Sequence, residues 1–465
     1  MISKRILAAW LLLSVLLVSC SKDDEPRAPR LVQKVNHFVH EFMSDVYLWT
    51  AEMPQNIDRK YEMDAKAYFD KLLYKPEDKW SFITDDYETV SQGSYGVGTT
   101  FGYSLAFGRF SGTDYYFGII QFVYPNTPAA LAGLKRGDII YKMNQTNIDA
   151  DNYLKLYNDP VISLQMGVLS GGSIGPGATV DLTAVRMQLS AIIEEKVYDT
   201  GGHKIGYLFY SDFYGGSDKE LDEVFQRFKA ANVQDVVLDL RYNLGGYGHV
   251  ATHLASILAP NQVVQAEKVM MTYQWNAAYQ KYWEDKKEYD QIRTLFDKSV
   301  PVNMNLSRVY VLTTYSTASA SEFVIAGLDP YMRVVKIGAA TRGKYTGAIL
   351  FQAQYHNGSA WVVDEEIKNW GIQPIVQRYA NSLGVTDFKD GFKPDYEVAD
   401  LLLEGVRPLG DTQEPLLGKA LELITSPWYS GYPTVAPATK AGFAIEQGMR
   451  SRNDYFNGSV LRKTY

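Results

Sequence analysis

The sequence predicts a mixed α/β protein built from a helical start, a β-rich middle and a longer stretch in which strands and helices alternate. Three observations carry this. Apolar residues recur at three- and four-residue steps from Leu31 to Trp49, short alternating runs parted by glycine fill Ser94 to Arg186, and strand and helix patterns alternate from Lys204 to about Asp395. At 465 residues the chain exceeds what one core usually organises, and about 150 residues per domain suggests roughly three domains. Its 46% hydrophobic and 21% charged residues are those of an ordinary globular protein.

The first 19 residues have a basic start at Lys4 and Arg5 and an apolar run from Ile6 to Val18. That run is shorter than the roughly 20 residues of a membrane span and suits a signal-peptide core. Leu17-Val18-Ser19-Cys20 resembles a bacterial lipobox, which makes residues 1–19 the expected lipoprotein signal and Cys20 the expected lipidated residue. A plain secretory peptide with a chance cysteine is the alternative. Cys20 is the single cysteine, so an intramolecular disulfide and a cysteine-based metal cluster are both excluded. The acidic Ser21 to Glu25 looks like the export tag of some Gram-negative outer-membrane lipoproteins, or is simply a solvated part of the tether expected over 20–30. A periplasmic or cell-surface outer-membrane location is the resulting expectation. A net charge of −7 with no basic run argues against nucleic-acid binding, which needs clustered Lys and Arg.

The stripe Leu31, Val35, Phe38, Val39, Phe42, Val46 and Trp49 marks an amphipathic helix, and Ala65 to Leu73 a second, within a helical region over 31–90. In the β-rich region over 94–190, Pro128 to Ile140 reads as a short helix, a Gly-Leu turn and a Gly-Asp turn feeding a strand. This resembles the core of a PDZ domain, with Gly175 to Val180 and Leu182 to Arg186 at the place of a closing strand. Such a domain adds an extended peptide to a sheet edge and receives its terminal carboxylate on loop amides. The resemblance places that loop and edge on Gly98, Thr99, Thr100, Phe101, Gly102, Tyr103, Ser104 and Leu105, a stretch that is otherwise a glycine-rich hairpin.

Over 200–425, Ile205 to Phe209 reads as a strand, Ser217 to Ala231 as a helix, Val233 to Leu240 as a strand, and His249 to Leu258 as a helix. An aromatic, charged insert spans Tyr273 to Phe296, and the strand Arg308 to Thr314 leads to Ser319. Gly371 to Ile375 and Gly391 to Asp395 read as extended turns with no chemistry, Pro415 to Ile424 as a last helix, and 426–465 as a tail without an assigned role.

Ser319-Ala320-Ser321-Glu322 places a serine at a helix start after a buried strand, and Lys344 follows on a loop. A serine hydroxyl needs a base. Lysine is neutral in only about one molecule in 2,500 at pH 7, and burial that lowers its pKa to about 8 raises this to roughly a tenth. Ser-x-x-Glu is equally a capping box, and the two readings are compatible because a capped helix start presents amides to an oxyanion. Gly245 and Gly246, ending Asp239-Leu240-Arg241-Tyr242-Asn243-Leu244, let the backbone approach a bound group and could add a second donor.

The ordered set resembles the C-terminal processing serine peptidases over most of residues 31–400. That resemblance implies a crotonase-like catalytic domain, Ser319 as nucleophile, Lys344 as base, and an oxyanion hole drawn from Gly245, Gly246 and Ala320 or the Ser319 amide. It implies polypeptide substrates with exposed C-termini and neither metal nor cofactor. The family often has a glutamine four residues after the lysine, where this chain has Ala348. The expectation is therefore a lipid-anchored serine endopeptidase, with a catalytically weak peptide-binding lipoprotein as the alternative. Among the six histidines only His249 and His253 have helical metal-site spacing, and they lack an intervening His-Glu-x-x-His glutamate. Gly246 to Ala251 is too far from its strand for a dinucleotide fingerprint.

Overall fold

The computed structural model describes residues 26–386, 388–425 and 443–446. The expected signal segment, Cys20 and most of the tail lie outside the described residues.

The apolar stripe at the start becomes α1 (Arg30–Val46), and the second run becomes α2 (Ala65–Leu72). Asp64 caps α2 by accepting from the Lys66 and Ala67 amides, which satisfies donors that have no partner inside the helix. Val35, Phe38, Val39 and Met43 close on Tyr68, Phe69 and Leu72. Next come β1 (Phe82–Thr84) and α3 (Tyr87–Gly93).

The glycine-punctuated stretch folds as β2 (Val97–Thr100), β3 (Tyr103–Phe110), β4 (Tyr116–Val123), α4 (Pro128–Leu131) and β5 (Ile139–Met143). It continues through β6 (Thr146–Asn147), α5 (Lys155–Asn158), β7 (Val161–Ser170), β8 (Ser173–Thr183) and β9 (Val185–Gln188). β3, β4, β5, β7 and β8 lie side by side in that order, and β2 pairs separately with β9. Period-2 alternation gives β4 two buried faces. Ile120 points into this unit's own core with Leu105 and Leu164, whereas Phe117 and Ile119 pack on the next sheet, against Tyr207 and Phe209.

That sheet begins with β10 (Ile192–Thr200), earlier than the residue 200 expected from the sequence, because β10 forms an antiparallel hairpin with β11 (His203–Tyr210). α6 (Asp218–Ala230), β12 (Asp235–Asp239), α7 (Gly248–Leu258), α8 (Asn261–Gln265), β13 (Val269–Trp275), α9 (Ala277–Lys286) and β14 (Arg293–Leu295) follow. The insert is thus an ordered strand, helix and strand. β15 (Arg308–Thr313), α10 (Ala320–Leu328) and β16 (Arg333–Gly338) complete the central repeat of strand and helix. Beyond them lie β17 (Thr346–Ala348), β18 (Phe351–Gln352), β19 (Gln354–His356), β20 (Trp361–Val363), β21 (Gly371–Gln373), β22 (Ile375–Asn381), β23 (Tyr396–Glu397), α11 (Pro415–Thr425) and β24 (Phe443–Glu446). The expected turn at Gly371 to Ile375 is in fact parts of two strands, since Ile372, Ile375, Val376 and Tyr379 bury their side chains and draw the segment into sheets.

The main sheet has the order β10-β11-β12-β15-β16-β23, parallel from β11 onward. A second, antiparallel sheet has the order β14-β13-β22-β17. α10 lies in the core they share, where Phe323 and Val324 meet Met270, Val311 and Tyr379. All nine residues of α10 are buried, as a helix apolar on every side must be. The N-terminal helices do not stand apart, because β1 pairs with β21 and their core takes in Ala353, Ile367 and Ile372.

At the C-terminal end of β12, Arg241 is fully buried and surrounded by acids. Its guanidinium donates to Asp239 at 2.8 and 2.9 Å, to Glu414 beside α11 at 2.7 and 2.8 Å, and to Asp400 at 3.1 Å. Arg136, from the β4–β5 connection, donates to the same Asp400 at 2.6 Å and to the Tyr242 hydroxyl. Burial works against the Arg241 charge, but the surrounding carboxylates more than offset it and hold its pKa well above the ordinary value. Removing one partner leaves an uncompensated buried charge, which costs about 3–5 kcal/mol. Glu414→Ala is accordingly expected to lower unfolding free energy by about that amount in a urea titration, whereas an exposed-pair change such as Lys281→Ala should move it by less than about 1 kcal/mol.

Candidate active site

Ser319 sits where β15 gives way to α10, with φ +56° and ψ −111°. A non-glycine residue in that region is strained and persists only where its surroundings over-determine it. A serine on a sharp strand-to-helix turn is the arrangement that thrusts a nucleophilic hydroxyl out of the backbone path.

What holds the turn is Glu322. Its carboxylate is buried and accepts four hydrogen bonds: from the Ser319 amide at 2.9 Å, the Thr341 hydroxyl at 2.5 Å, the Gly343 amide at 2.7 Å and the Lys344 amide at 2.8 Å. The Ser319 and Lys344 amides reach the same oxygen, Oε2. Burial raises the Glu322 pKa, and the four donors work against that rise. The expected capping box forms in its backbone half alone. Glu322 receives the Ser319 amide, while the Ser319 Oγ has no partner among the described residues.

A second bridge comes from β22. The Tyr379 hydroxyl lies 2.5 Å from the Lys344 carbonyl oxygen and 3.3 Å from that of Ser319. A carboxylate on one side and a phenol on the other therefore bind the backbones of the serine and the lysine together.

The Lys344 side chain is fully buried, and its ammonium lies over the Trp80 ring at 5.3 Å from the centroid. Burial lowers its pKa well below the ordinary lysine range. Asp78 opposes this by attraction, Arg342 reinforces it by repulsion, and Glu322 opposes it. Asp78 is itself fixed, accepting from the Tyr47 hydroxyl at 2.8 Å and from the Trp80 and Ser81 amides at 2.9 Å. The segment between α2 and β1 thus supplies an aromatic wall and the leading opposing charge around the amine.

The loop after β12 is welded to the serine turn. Asn243 accepts the Ala318 amide and the Ser321 hydroxyl on its carbonyl oxygen and donates its side-chain amide to Tyr210. Gly245 (φ +108°) lies so close to the turn that a Cβ there would come 2.7 Å from the Ser319 Cβ. Its amide differs from expectation, because it is spent on Asn243 Oδ1 at 2.9 Å. The Ser319 amide is likewise taken, by Glu322. For the amides of Gly246 and Ala320 no acceptor occurs among the described residues.

Opposite the lysine loop, Ala348 pairs with Ile375 and Gly347 with Gln377. Gln377 shares a face with Tyr379 and brings its Nε2 within 2.8 Å of where a Gly347 Cβ would stand. A buried amide thus enters from β22, one strand away from the position where the sequence lacks it. Ser319, Thr346, Gln373 and Gln377 each have a buried side-chain atom without a hydrogen-bond partner among the described residues. Sequence reasoning missed Trp80, Asp78, Tyr379 and Gln377. Only Glu322 had a visible signal, its place three residues after Ser319.

The other candidates separate. Gly98 to Leu105 lie on β2, its turn and the start of β3, outside this site. His249 and His253 face aspartates of α6, with His253 2.8 Å from Asp222, and no metal-ligating group of three occurs among the described residues.

Taken with this fold, the arrangement is that of a serine-type peptidase, and comparison with known proteins agrees. The profile of Peptidase family S41 matches residues 204–398, and that of the Peptidase S41 N-terminal domain matches residues 34–82. The chain belongs to peptidase family S41. It is 24% identical over 385 residues to the chloroplastic C-terminal processing peptidase of Tetradesmus obliquus, covering 77% of this chain and 75% of that protein. It is 23% identical to a carboxyl-terminal-processing protease of Picosynechococcus over 65% of each chain. The crystal structure of a Bacteroides fragilis protein assigned to the S41 proteases aligns at a TM-score of 0.66 with 27% identity, covering 83% of this chain and 96% of the other.

Gly245→Ala adds a methyl group against the Ser319 turn at a positive φ, and is expected to cost folding stability by more than about 1 kcal/mol as read by thermal unfolding. Lys344→Met removes a buried amine that burial drives towards its neutral form. It should raise stability at pH 7 by about 0.5–2 kcal/mol. The sign follows from the depressed folded pKa: the unfolded chain binds more protons at neutral pH, so the wild type gains stability as pH rises towards the free-lysine range, and the Met variant should lack that gain.

Proposed function

We propose that the chain is an endopeptidase in which Ser319 is the nucleophile and Lys344 the general base. The observation that carries this reading is the placement of a strained, buried serine and a fully buried lysine on one carboxylate oxygen of Glu322. The neutral amine of Lys344 takes the proton of the Ser319 hydroxyl as Oγ bonds to the substrate carbonyl carbon. The carbonyl electron pair moves onto oxygen, where the amides of Gly246 and Ala320 stabilise it. Collapse breaks the C–N bond, the leaving amine takes the proton from the Lys344 ammonium, and an ester remains on Ser319. Water then attacks that ester, again giving its proton to Lys344, which passes it to Ser319 Oγ as the acid departs.

In this reading polypeptides arrive by their C-terminal ends, which add to the β3 edge with the carboxylate at the loop Gly98 to Gly102 and the strand Tyr103 to Leu105 beyond it. Cys20 anchors the enzyme by lipid to the outer membrane, and the substrates are exported polypeptides. Turnover is favoured over a binding-only protein because β22 places the buried Gln377 side chain, its Oε1 unpartnered among the described residues, beside Gly347 next to the position of Ala348.

Cleavage of a peptide library with free C-termini tests the dyad. Ser319→Ala and Lys344→Ala are each expected to lower kcat by at least about a thousandfold with binding retained. Undiminished cleavage by either variant would sink the assignment. The kcat of the wild type should rise with pH along a limb below the ordinary lysine range, since the amine works only unprotonated and burial lowers its pKa. Restoring a charge nearby by Trp80→Glu should move that limb to higher pH.

A further inference from the structure

The tail past Thr425 takes no part in the chemistry above, yet one stretch of it has a defined place. β24 runs antiparallel along β3, with Phe443 opposite Phe110, Ala444 opposite Arg109, Ile445 opposite Gly108 and Glu446 opposite Phe107. β4 holds the other edge of β3, so β24 is the outermost strand of the sheet. A bare sheet edge is a row of amides and carbonyls that accepts an extended chain.

The direction of β24 is the informative part. It enters at the Phe110 end and leaves at the Phe107 end, so its C-terminal end heads for Tyr103 and, beyond it, the loop Gly98 to Gly102. A peptide that adds to β3 with its carboxylate at that loop must run the same way along the same edge. Coverage is partial, however. Among the described residues β24 pairs with Phe107 to Phe110 and leaves the four loop-proximal residues Tyr103 to Ala106 without a partner on that side.

We infer that Phe443–Glu446 of this chain is a competing occupant of the β3 edge: it admits the last few residues of a substrate and must be displaced by any longer extended one. The inference rests on the proposed reading of Gly98 to Leu105 as the peptide-binding loop and edge. A segment tethered to its own acceptor acts at an effective concentration in the millimolar range, so a weak four-residue pairing suffices to compete. The same weakness lets a long substrate strip it away. The segment thereby narrows the advantage that a long extended end would have over a short one, because only the long end has to displace it.

The test uses the full chain in a Ser319→Ala background, which binds without cleaving, with Ala444→Pro and Ile445→Pro introduced separately. Successive residues of an antiparallel strand point their amides to opposite sides, so one of the two prolines removes a bond to β3. The probes are a fluorescent tetrapeptide and a fluorescent decapeptide with the same apolar free C-terminus, with hydrogen exchange of the β3 amides read in parallel. The expected result is faster exchange at Phe107 to Phe110 in at least one variant and about tenfold tighter decapeptide binding in that variant. Tetrapeptide affinity should not change, and a synthetic peptide of residues 438–450 added in trans should reverse the gain. Exchange unaltered by both prolines overturns the inference, whatever β3 binds, and so does an equal gain for both peptide lengths. If exchange quickens but neither peptide binds any variant, the peptide-edge reading itself fails and the competition falls with it.

Discussion

The active site depends on one carboxylate that carries out no chemistry of its own. Glu322 gathers the amide of the serine turn and two amides and a hydroxyl of the lysine loop around two oxygens, in a place water does not reach. Each donor alone is worth about 1–3 kcal/mol when charge-assisted. Their joint effect is geometric: a loop with no regular structure is fixed against a helix start, and the strained conformation of Ser319 becomes the one its neighbours enforce. Glu322 gains in turn, because four donors compensate a negative charge that burial alone would disfavour.

Around that clamp the protein arranges two opposite electrostatic environments within one core. At Arg241 it buries a cation among three carboxylates, which hold the guanidinium in its charged form. At Lys344 it buries a cation against an indole ring, with Asp78 as the leading opposing charge, and so pushes the amine towards neutrality. The first arrangement fixes the loop that carries Gly245 and Gly246, and the second lowers the basicity of a buried amine. Arg136 links the first to the β-rich unit through Asp400 and Tyr242, so the unit carrying the β3 edge and the catalytic sheet share one buried charge network.

Much of this was legible in the sequence. The three-region organisation followed from the switch between helical and alternating periodicity, and Ser319, Lys344 and the two glycines stood out because a strand end, a capping box and a Gly-Gly turn are local signals. The remainder depends on long-range pairing, which has no local signature. Tyr379 and Gln377 follow the stretch Gly371 to Ile375, which reads as a turn, and only pairing with β13 and β17 makes theirs a strand. Trp80 and Asp78 come from more than 200 residues upstream and meet the lysine only because β1 pairs with β21. The Gly245 amide was misjudged for a simpler reason: a glycine motif shows that backbone can approach, and does not show which side chain has already claimed its N–H.

The pairing of β1 with β21 also bears on how this enzyme can change over evolutionary time. Tyr47 steadies Asp78, and Asp78 and Trp80 shape the surroundings of the Lys344 amine, so the opening region of the chain is part of the site. Gene rearrangement can graft such a core onto new partners at its other borders, but a transplant that leaves the first eighty residues behind would strip Lys344 of the indole and the carboxylate that now surround it.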